Sequence, residues 1–176
     1  MARPPHAREK VLDAFEALII DEGERAATMD ATASRAGVSK GGLIYHFPSK
    51  LALEEGLAER LLALVDADTA AMRAAPGGVV DAFIRTSVEV GTPLDRALIA
   101  VGRLATVGSP AAIAALTALR TSWRELLREA ISDETAVDLV MLVADGVYFN
   151  AALGVGSVAG VPDIDALLAL LSRAIV

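Results

Sequence analysis

Residues 28–50 read TMDATASRAGVSKGGLIYHFPSK, a pattern that predicts two short helices, a tight turn between them and the start of a third helix. Thr28 can cap a helix running through Ala36, because its hydroxyl can accept a hydrogen bond from a first-turn amide. Gly37 stands where that helix must end, and Ser39 can cap the next one. This spacing is typical of a helix-turn-helix, whose second helix enters the major groove of DNA.

The second helix of this stretch has an apolar inner side and an outer side without acids. Leu43 and Phe47 are four residues apart and are expected to point into the core. Gly41 and Gly42 each cost about 1 kcal/mol in a helix relative to Ala, which close approach to a DNA backbone would explain. The residues predicted to contact DNA are Thr28, Ser39, Lys40, Gly41, Gly42, Tyr45, His46 and Lys50.

The motif AGVSKG at residues 36–41, followed by Leu43 and by YHFPSK at residues 45–50, resembles the signature of the TetR/AcrR family of transcriptional regulators. The resemblance implies an all-helical homodimer that binds DNA, and whose last two helices pair with their copies across a two-fold axis. Family members often have Thr and Tyr in the recognition helix where this chain has Gly42 and Ile44. We expect Ile44 to pack inward.

The net charge of −7 is unevenly distributed along the chain. Residues 1–50 contain seven Lys or Arg and seven Asp or Glu, whereas residues 51–176 contain nine and sixteen. A neutral DNA-binding segment predicts modest non-specific affinity and a need for dimerisation, since phosphate neutralisation supplies most sequence-independent binding. Lys50 is predicted to bind a phosphate at the N-terminus of the third helix, with Arg3 and Arg8 available from an N-terminal arm.

Helix caps and breakers predict an all-α chain of about nine helices. The predicted helices cover about residues 6–22, 28–36, 39–47, 49–74, 78–91, 93–107, 110–131, 133–154 and 163–175. Residues 1–50 are assigned to a helix-turn-helix DNA-binding domain and residues 51–176 to a ligand-binding and dimerisation domain. The absence of Cys excludes disulfides and thiolate metal sites, and neither a cofactor nor a metal is expected. Without a signal peptide or an uninterrupted apolar span, we expect a cytoplasmic protein.

The helix predicted at residues 133–154 is apolar on two sides, which a surface helix is not. We assign one side, with two residues of the last helix, to a dimer interface formed by Leu139, Leu142, Gly146, Phe149, Leu153, Leu167 and Leu171. The other side is assigned to a small-molecule site formed by Arg103, Trp123, Met141, Asp145 and Tyr148, because an apolar cavity with a few polar groups is typical of such sites. Burial within one subunit is the alternative for both sets, with Asp145 paired to Arg103 or Arg120.

These patterns favour a homodimeric regulator, a repressor that a small apolar ligand releases from a palindromic operator in double-stranded DNA. The alternatives are a helical dimeric interaction module and a constitutive DNA binder without a ligand. An enzyme is not expected, because the sequence has no phosphate loop, nucleophile elbow or metal-ligand cluster.

Overall fold

The computed structural model describes residues 6–153 and 163–175, and these form nine helices and no strands. The all-α prediction is confirmed. Arg3 lies outside the described residues, as do the side chains of His6 and Leu153. The helices are α1 His6–Glu22, α2 Met29–Ala36, α3 Lys40–His46, α4 Lys50–Arg73, α5 Val79–Thr86, α6 Pro93–Thr106, α7 Pro110–Arg128, α8 Glu134–Leu153 and α9 Ile164–Ala174.

The helices pack into two compact units. The first comprises the described part of Met1–Leu64 together with Arg96–Ala118, and the second comprises Val65–Asp95 and the described residues from Leu119 onward. Helices α4, α6 and α7 therefore each contribute residues to both units. The functional boundary proposed at residue 50 stays a prediction.

The first unit has a core built on the inner side of α1. Val11, Leu12, Phe15 and Ile19 are completely buried there, at the three- and four-residue spacing of one helix face. Leu53 and Leu57 of α4 are equally buried. An added Cβ at Gly56 would lie 2.7 Å from Cε1 of Phe47, so α4 approaches the end of α3 closely only because residue 56 has no side chain.

The second unit has its own core, in which α8 is central. The apolar residues in it come from α4, α5, α7, α8 and α9, and they include Met72, Phe83, Ile84, Leu126, Leu127, Val137, Val140, Met141 and Leu171. Segment Glu134–Ala152 is long and apolar enough to cross a membrane by length and composition, a test that a soluble protein's core helix also passes. A mere 33% of that segment is buried, so much of this apolar helix is not covered by its own chain.

Two helices end earlier than the sequence pattern predicts. Helix α5 stops at Thr86 rather than near residue 91, where the amides of Val88 and Glu89 bond to the carbonyls three residues earlier and so tighten the last turn. Helix α7 stops at Arg128 rather than near residue 131, where Glu129 N–H bonds to the carbonyl three residues earlier and so tightens the last turn. Apolar periodicity does not register these local bonds.

Candidate nucleic-acid interface and interior polar sites

Both ends of α2 are closed by the residues that the sequence assigned to them. Thr28 has extended backbone angles, and its Oγ1 accepts a hydrogen bond of 3.1 Å from the amide of Ala31. Gly37 adopts the left-handed conformation, with φ of 65°. Its amide and that of Val38 donate to the carbonyls of Ser34 and Ala33, at 3.1 and 3.0 Å. The turn between α2 and α3 is therefore specified locally.

Helix α3 is anchored by its inner side and exposes its outer side. Ser39 caps it by accepting a hydrogen bond of 3.1 Å from the amide of Gly42. Leu43 and Phe47 are 0% and 3% exposed, which confirms the predicted inner face. Tyr45 is 74% exposed, and Lys40 and Gly41 are exposed beside it. The structure thus leaves the Tyr45 ring and the ammonium group of Lys40, at the first position of α3, both accessible.

The expectation that Ile44 packs inward is wrong, because its side chain is 43% exposed. A residue one position after Leu43 lies about 100° around the helix from it, and a helix as short as α3 has room for only one inner stripe. Ile44 therefore extends the accessible surface that carries Tyr45. An apolar side chain there can contact thymine methyl groups, whereas it cannot form the polar contacts of a tyrosine.

His46 is less exposed than predicted. It is half-buried, its ring meets that of Tyr45 edge-on at 5.1 Å, and its Nε2 is buried without a hydrogen-bond partner among the described residues. It lines a cavity of about 230 Å³ next to Gly42 and the interhelical turn. The other lining residues are Ala7, Gly37, Val38 and Ser39. His46 therefore lies at the edge of the predicted DNA-binding surface, with its Nε2 buried.

Lys50 is not the unengaged phosphate ligand that the sequence suggested. Its Nζ donates to the carbonyl oxygen of Glu24 at 2.9 Å and lies 3.4 Å from the Glu24 carboxylate. The side chain is half-buried, so it ties the start of α4 to the segment after α1. The N-terminus of α4 is capped by Ser49, whose Oγ accepts from the amide of Ala52 at 3.1 Å. A phosphate at this position would have to compete with these internal bonds.

Internal ion pairing is general in this N-terminal segment. Five of the six Lys and Arg side chains in the described residues 6–50 lie within 4 Å of a carboxylate. These five are Arg8, Arg25, Arg35, Lys40 and Lys50. The equal numbers of basic and acidic residues in this segment therefore correspond to local ion pairs in the fold.

The residues predicted for the dimer interface divide into an uncovered group and a buried one. Leu142 and Phe149 are 67% and 62% exposed and Leu139 is 39% exposed, and a Cβ added at Gly146 would meet nothing within 4 Å. Leu171, by contrast, is 4% exposed in the core of its own unit, so its assignment to the interface is wrong. Leu167 is half-buried against the same core, and the side chain of Leu153 lies outside the described ones.

Arg103, one of the predicted ligand-binding residues, is engaged within its own unit. It belongs to the first unit, whereas Trp123, Met141, Asp145 and Tyr148 belong to the second. Its guanidinium donates to the carbonyls of Ile19 and Ile20, both at 2.8 Å. Because the last carbonyls of a helix have no intrahelical partner, Arg103 serves as a cap for the end of α1.

Asp145 also differs from its predicted orientation. Both of its carboxylate oxygens accept from Arg120, at 2.6 and 2.8 Å, and both side chains are nearly half exposed. The alternative pairing with Arg120 is therefore the one that forms. Asp145 does not face the interior.

The second unit contains three further predicted ligand-binding residues that are buried or half-buried, Trp123, Met141 and Tyr148. Met141 is 2% exposed, and Trp123 packs edge-on against Phe83 with ring centroids 5.7 Å apart. Trp123 Nε1 is buried and has no hydrogen-bond partner among the described residues. A buried donor without a partner costs free energy, so an acceptor that reached this N–H would relieve that cost.

Tyr148 forms a polar pair with a residue that the sequence did not single out. Its hydroxyl donates to Oδ1 of Asp95 at 2.5 Å, while the amide of Gly91 donates to Oδ2 at 2.6 Å. Asp95 is 6% exposed. Burial and the neighbouring carboxylate raise the pKa of Tyr148 well above its ordinary value. The sequence shows Asp95 as an ordinary first-turn acid of α6, and its partner is 53 residues away.

Comparison with known proteins covers both parts of the chain. Residues 11–57 match the model of bacterial regulatory proteins of the tetR family, and residues 77–175 match that of the tetracyclin repressor-like C-terminal domain. No curated protein sequence matches this chain.

Similar solved structures extend over nearly the whole chain. A TetR-family member from Streptomyces coelicolor A3 is 21% identical, with coverage of 98% of this chain and 99% of that chain and a TM-score of 0.71. The multidrug binding protein EbrR complexed with ethidium is 20% identical, with coverage of 98% and 100% and a TM-score of 0.66. The ketosteroid transcriptional regulator KstR2 of Mycobacterium tuberculosis is 19% identical, with coverage of 98% and 96% and a TM-score of 0.62. With two matching family models and a capped helix-turn-helix at residues 28–46, the chain belongs to the tetR family of bacterial regulatory proteins.

Proposed function

We propose that this regulator is a homodimer that reads an inverted-repeat operator through α3. The observation that carries this proposal is the accessible outer side of α3, with Tyr45 74% exposed above an inner side that is fully buried. A recognition helix needs this arrangement, because base edges are read by side chains that the fold itself does not use. Thr28, Ser39, Lys40, Gly41, Gly42 and Tyr45 are the proposed DNA contacts, with His46 and Lys50 at the margin of the surface.

Dimerisation is proposed to occur through the uncovered side of α8. Leu139, Leu142 and Phe149 form an exposed apolar row, and the open space beside Gly146 allows a second helix to approach closely. Covering large apolar side chains is worth about 25 cal/mol per Å². A two-fold dimer would present two copies of α3 to one face of the duplex, with half-sites about one helical turn apart or somewhat more.

The apolar interior of the second unit is the proposed effector site. Trp123, Met141 and Tyr148 provide an apolar surface, a buried N–H and a hydroxyl, which suits a small and mostly apolar compound. The likeness to EbrR complexed with ethidium supports a binding role for this half of the chain. We propose that the effector releases the protein from its operator, so that it acts as a cytoplasmic repressor and not as an enzyme.

Selection of bound duplexes from a random DNA pool tests the DNA-binding proposal. We expect an enriched inverted repeat, and Tyr45→Ala should lose affinity for it while keeping the fold. Gly102→Ala in α6 is a control outside the helix-turn-helix, because a Cβ there meets nothing within 4 Å and should leave the fold unchanged. A pool that shows no enrichment at low salt would count against DNA recognition.

A constitutive DNA binder is the second candidate, and a specific observation favours it. Asp145 is already paired with Arg120, and Tyr148 is already bonded to Asp95, so these polar groups do not need a ligand. Calorimetry of compounds that raise the melting temperature, with and without operator, separates the two. A release mechanism requires the operator to weaken effector binding by the same factor, about 5- to 150-fold, as the effector weakens operator binding. Equal affinities would support the constitutive binder.

A further inference from the structure

The side chain of Lys40, on the outer surface of α3, lies beside an acid of α2. Its Nζ is 2.9 Å from Oδ1 of Asp30 and 3.2 Å from Oδ2. The two side chains are 60% and 73% exposed, so the pair lies at the surface where DNA would bind. The ammonium that should neutralise a phosphate is therefore already neutralised within the chain.

Folding does not require this pair. An ion pair between two exposed side chains contributes little to stability, because water and salt screen it. Asp30 does favour the first turn of α2 through the helix dipole, but an uncharged polar residue would serve that turn nearly as well. The charge of Asp30 therefore contributes little to the stability of the fold, although the carboxylate is exposed beside the predicted DNA-binding helix.

Lys40 differs in this respect from Lys50. Lys50 is half-buried and donates to a backbone carbonyl as well as to Glu24, so it is held by the fold. The partner of Lys40 is the carboxylate of Asp30, and both groups are accessible to DNA. Lys40 can therefore exchange a carboxylate for a phosphate without disturbing any packing.

We propose that Asp30 is a specificity-determining residue, which competes with DNA phosphates for Lys40 and thereby keeps affinity for non-operator DNA low. The inference rests on the proposed DNA-binding function. When the protein binds a duplex of random sequence, a contact between Lys40 and a phosphate adds little affinity. The ammonium group exchanges one anion for another, and the Asp30 carboxylate is left facing the negatively charged duplex. On the operator, base contacts made by the rest of α3 compensate for this loss. The ratio of operator affinity to random-sequence affinity rises, because Asp30 reduces the electrostatic attraction that all DNA sequences share.

The charge removed in Asp30→Asn should have a measurable effect on binding to random DNA. A unit charge about 4 Å from another in water changes an equilibrium constant by about fivefold. We therefore expect Asp30→Asn to bind a random-sequence duplex about fivefold more tightly per subunit. The slope of log affinity against log salt should become steeper by about 0.9 per subunit, since one more phosphate is neutralised. Operator affinity should rise less, so the ratio of operator to random affinity should fall.

The experiment compares wild type, Asp30→Asn and Glu129→Gln by fluorescence anisotropy on the random duplex and on the operator enriched by selection. Glu129→Gln removes the same charge from an exposed ion pair, with Arg73, that belongs to the second unit and not to the helix-turn-helix. Lys40→Ala and the double variant Asp30→Asn with Lys40→Ala complete a cycle, in which the gain should vanish when Lys40 is absent. Asp30→Ser provides a second replacement if Asp30→Asn melts at a lower temperature.

The possible results distinguish a failure of the proposed role of Asp30 from a failure of the proposed DNA-binding function. If wild type binds DNA but Asp30→Asn binds no more tightly than Glu129→Gln, the role of Asp30 alone is overturned. A gain that persists without Lys40 also overturns it, because the acid then acts by general repulsion. Wild type that binds neither duplex at low salt overturns the proposed function together with the inference.

Discussion

The segment α1–α3 and the helix α8 both contain large apolar side chains, but they place them differently. In α1–α3, Leu12, Phe15 and Leu43 are completely buried by neighbours in the same unit. In α8, Leu142 and Phe149 are more than half exposed although the opposite side of the helix is buried. The first region buries these side chains within one chain, and the second does not. Three large exposed apolar side chains, Leu139, Leu142 and Phe149, therefore lie on one helix, where a second molecule could cover them.

Gly146→Arg should produce the largest effect and tests the α8 side of this comparison. A charged side chain enclosed in an interface without a partner costs about 3–5 kcal/mol, so dimer dissociation should rise at least a hundredfold. Light scattering should report a folded monomer with little operator affinity. The control is Gly102→Arg, at another helical glycine where a Cβ meets nothing within 4 Å. A Gly146→Arg protein that remains dimeric would refute the assignment.

The same substitution, Leu to Ala, should act differently in the two regions. Leu43→Ala removes a fully buried side chain and should lower the free energy of unfolding by about 2–5 kcal/mol at every protein concentration. Leu142→Ala removes an exposed one, so its cost should appear only through dimerisation and vary with protein concentration. Urea unfolding at two concentrations measures both. Concentration-independent loss in Leu142→Ala would place that side chain in the chain's own core.

Tyr148→Phe tests whether the polar pair in the second unit contributes to its stability. Loss of the hydrogen bond to the buried Asp95 carboxylate should cost about 1.5–3 kcal/mol. Because the pKa of Tyr148 is raised on folding, the native state keeps its proton above pH about 10 while the unfolded state loses it. The stabilisation is thus complete below pH about 10 and falls as pH rises further.

Urea unfolding near neutral pH and above pH about 10 measures this dependence, which Tyr148→Phe should reduce. If wild type and Tyr148→Phe are equally stable at neutral pH, the hydrogen bond between Tyr148 and Asp95 makes no net contribution, because water replaces it in the variant.

Gly41→Ala should have the smallest effect on stability and opposite effects on folding and binding. A Cβ at position 41 meets nothing within 4 Å in the chain, so the substitution should stabilise α3 by up to about 1 kcal/mol. Close approach of DNA to α3 would make the same methyl group weaken operator affinity. Thermal unfolding and anisotropy measure the two effects. If Gly41→Ala stabilises the protein without weakening binding, DNA does not approach this glycine closely.

Much of the fold was predictable because its instructions are local. Thr28, Gly37 and Ser39 close the ends of α2 and α3 through bonds to residues three to five positions away. The predicted inner positions of Leu43 and Phe47 are confirmed for the same reason, since their four-residue spacing defines one face, whereas Ile44 lies off that face and is exposed. The exposed row on α8 was also visible as a second apolar stripe. The wrong residue there was Leu171, because packing within the unit decides which side of α9 is covered.

Caps, breakers and short motifs act over a few residues, so the sequence alone is sufficient to predict the nine helices of the described residues, the helix-turn-helix motif and the family. The partners of Lys50 and Arg103 depend instead on tertiary packing. Lys50 bonds to a residue 26 positions away, and Arg103 to one 84 positions away. Long side chains choose partners by distance in space, and the helical period carries no information about that distance. For this reason the sequence alone could not foresee the pairing of Asp30 with Lys40 or the hydrogen bond between Tyr148 and Asp95.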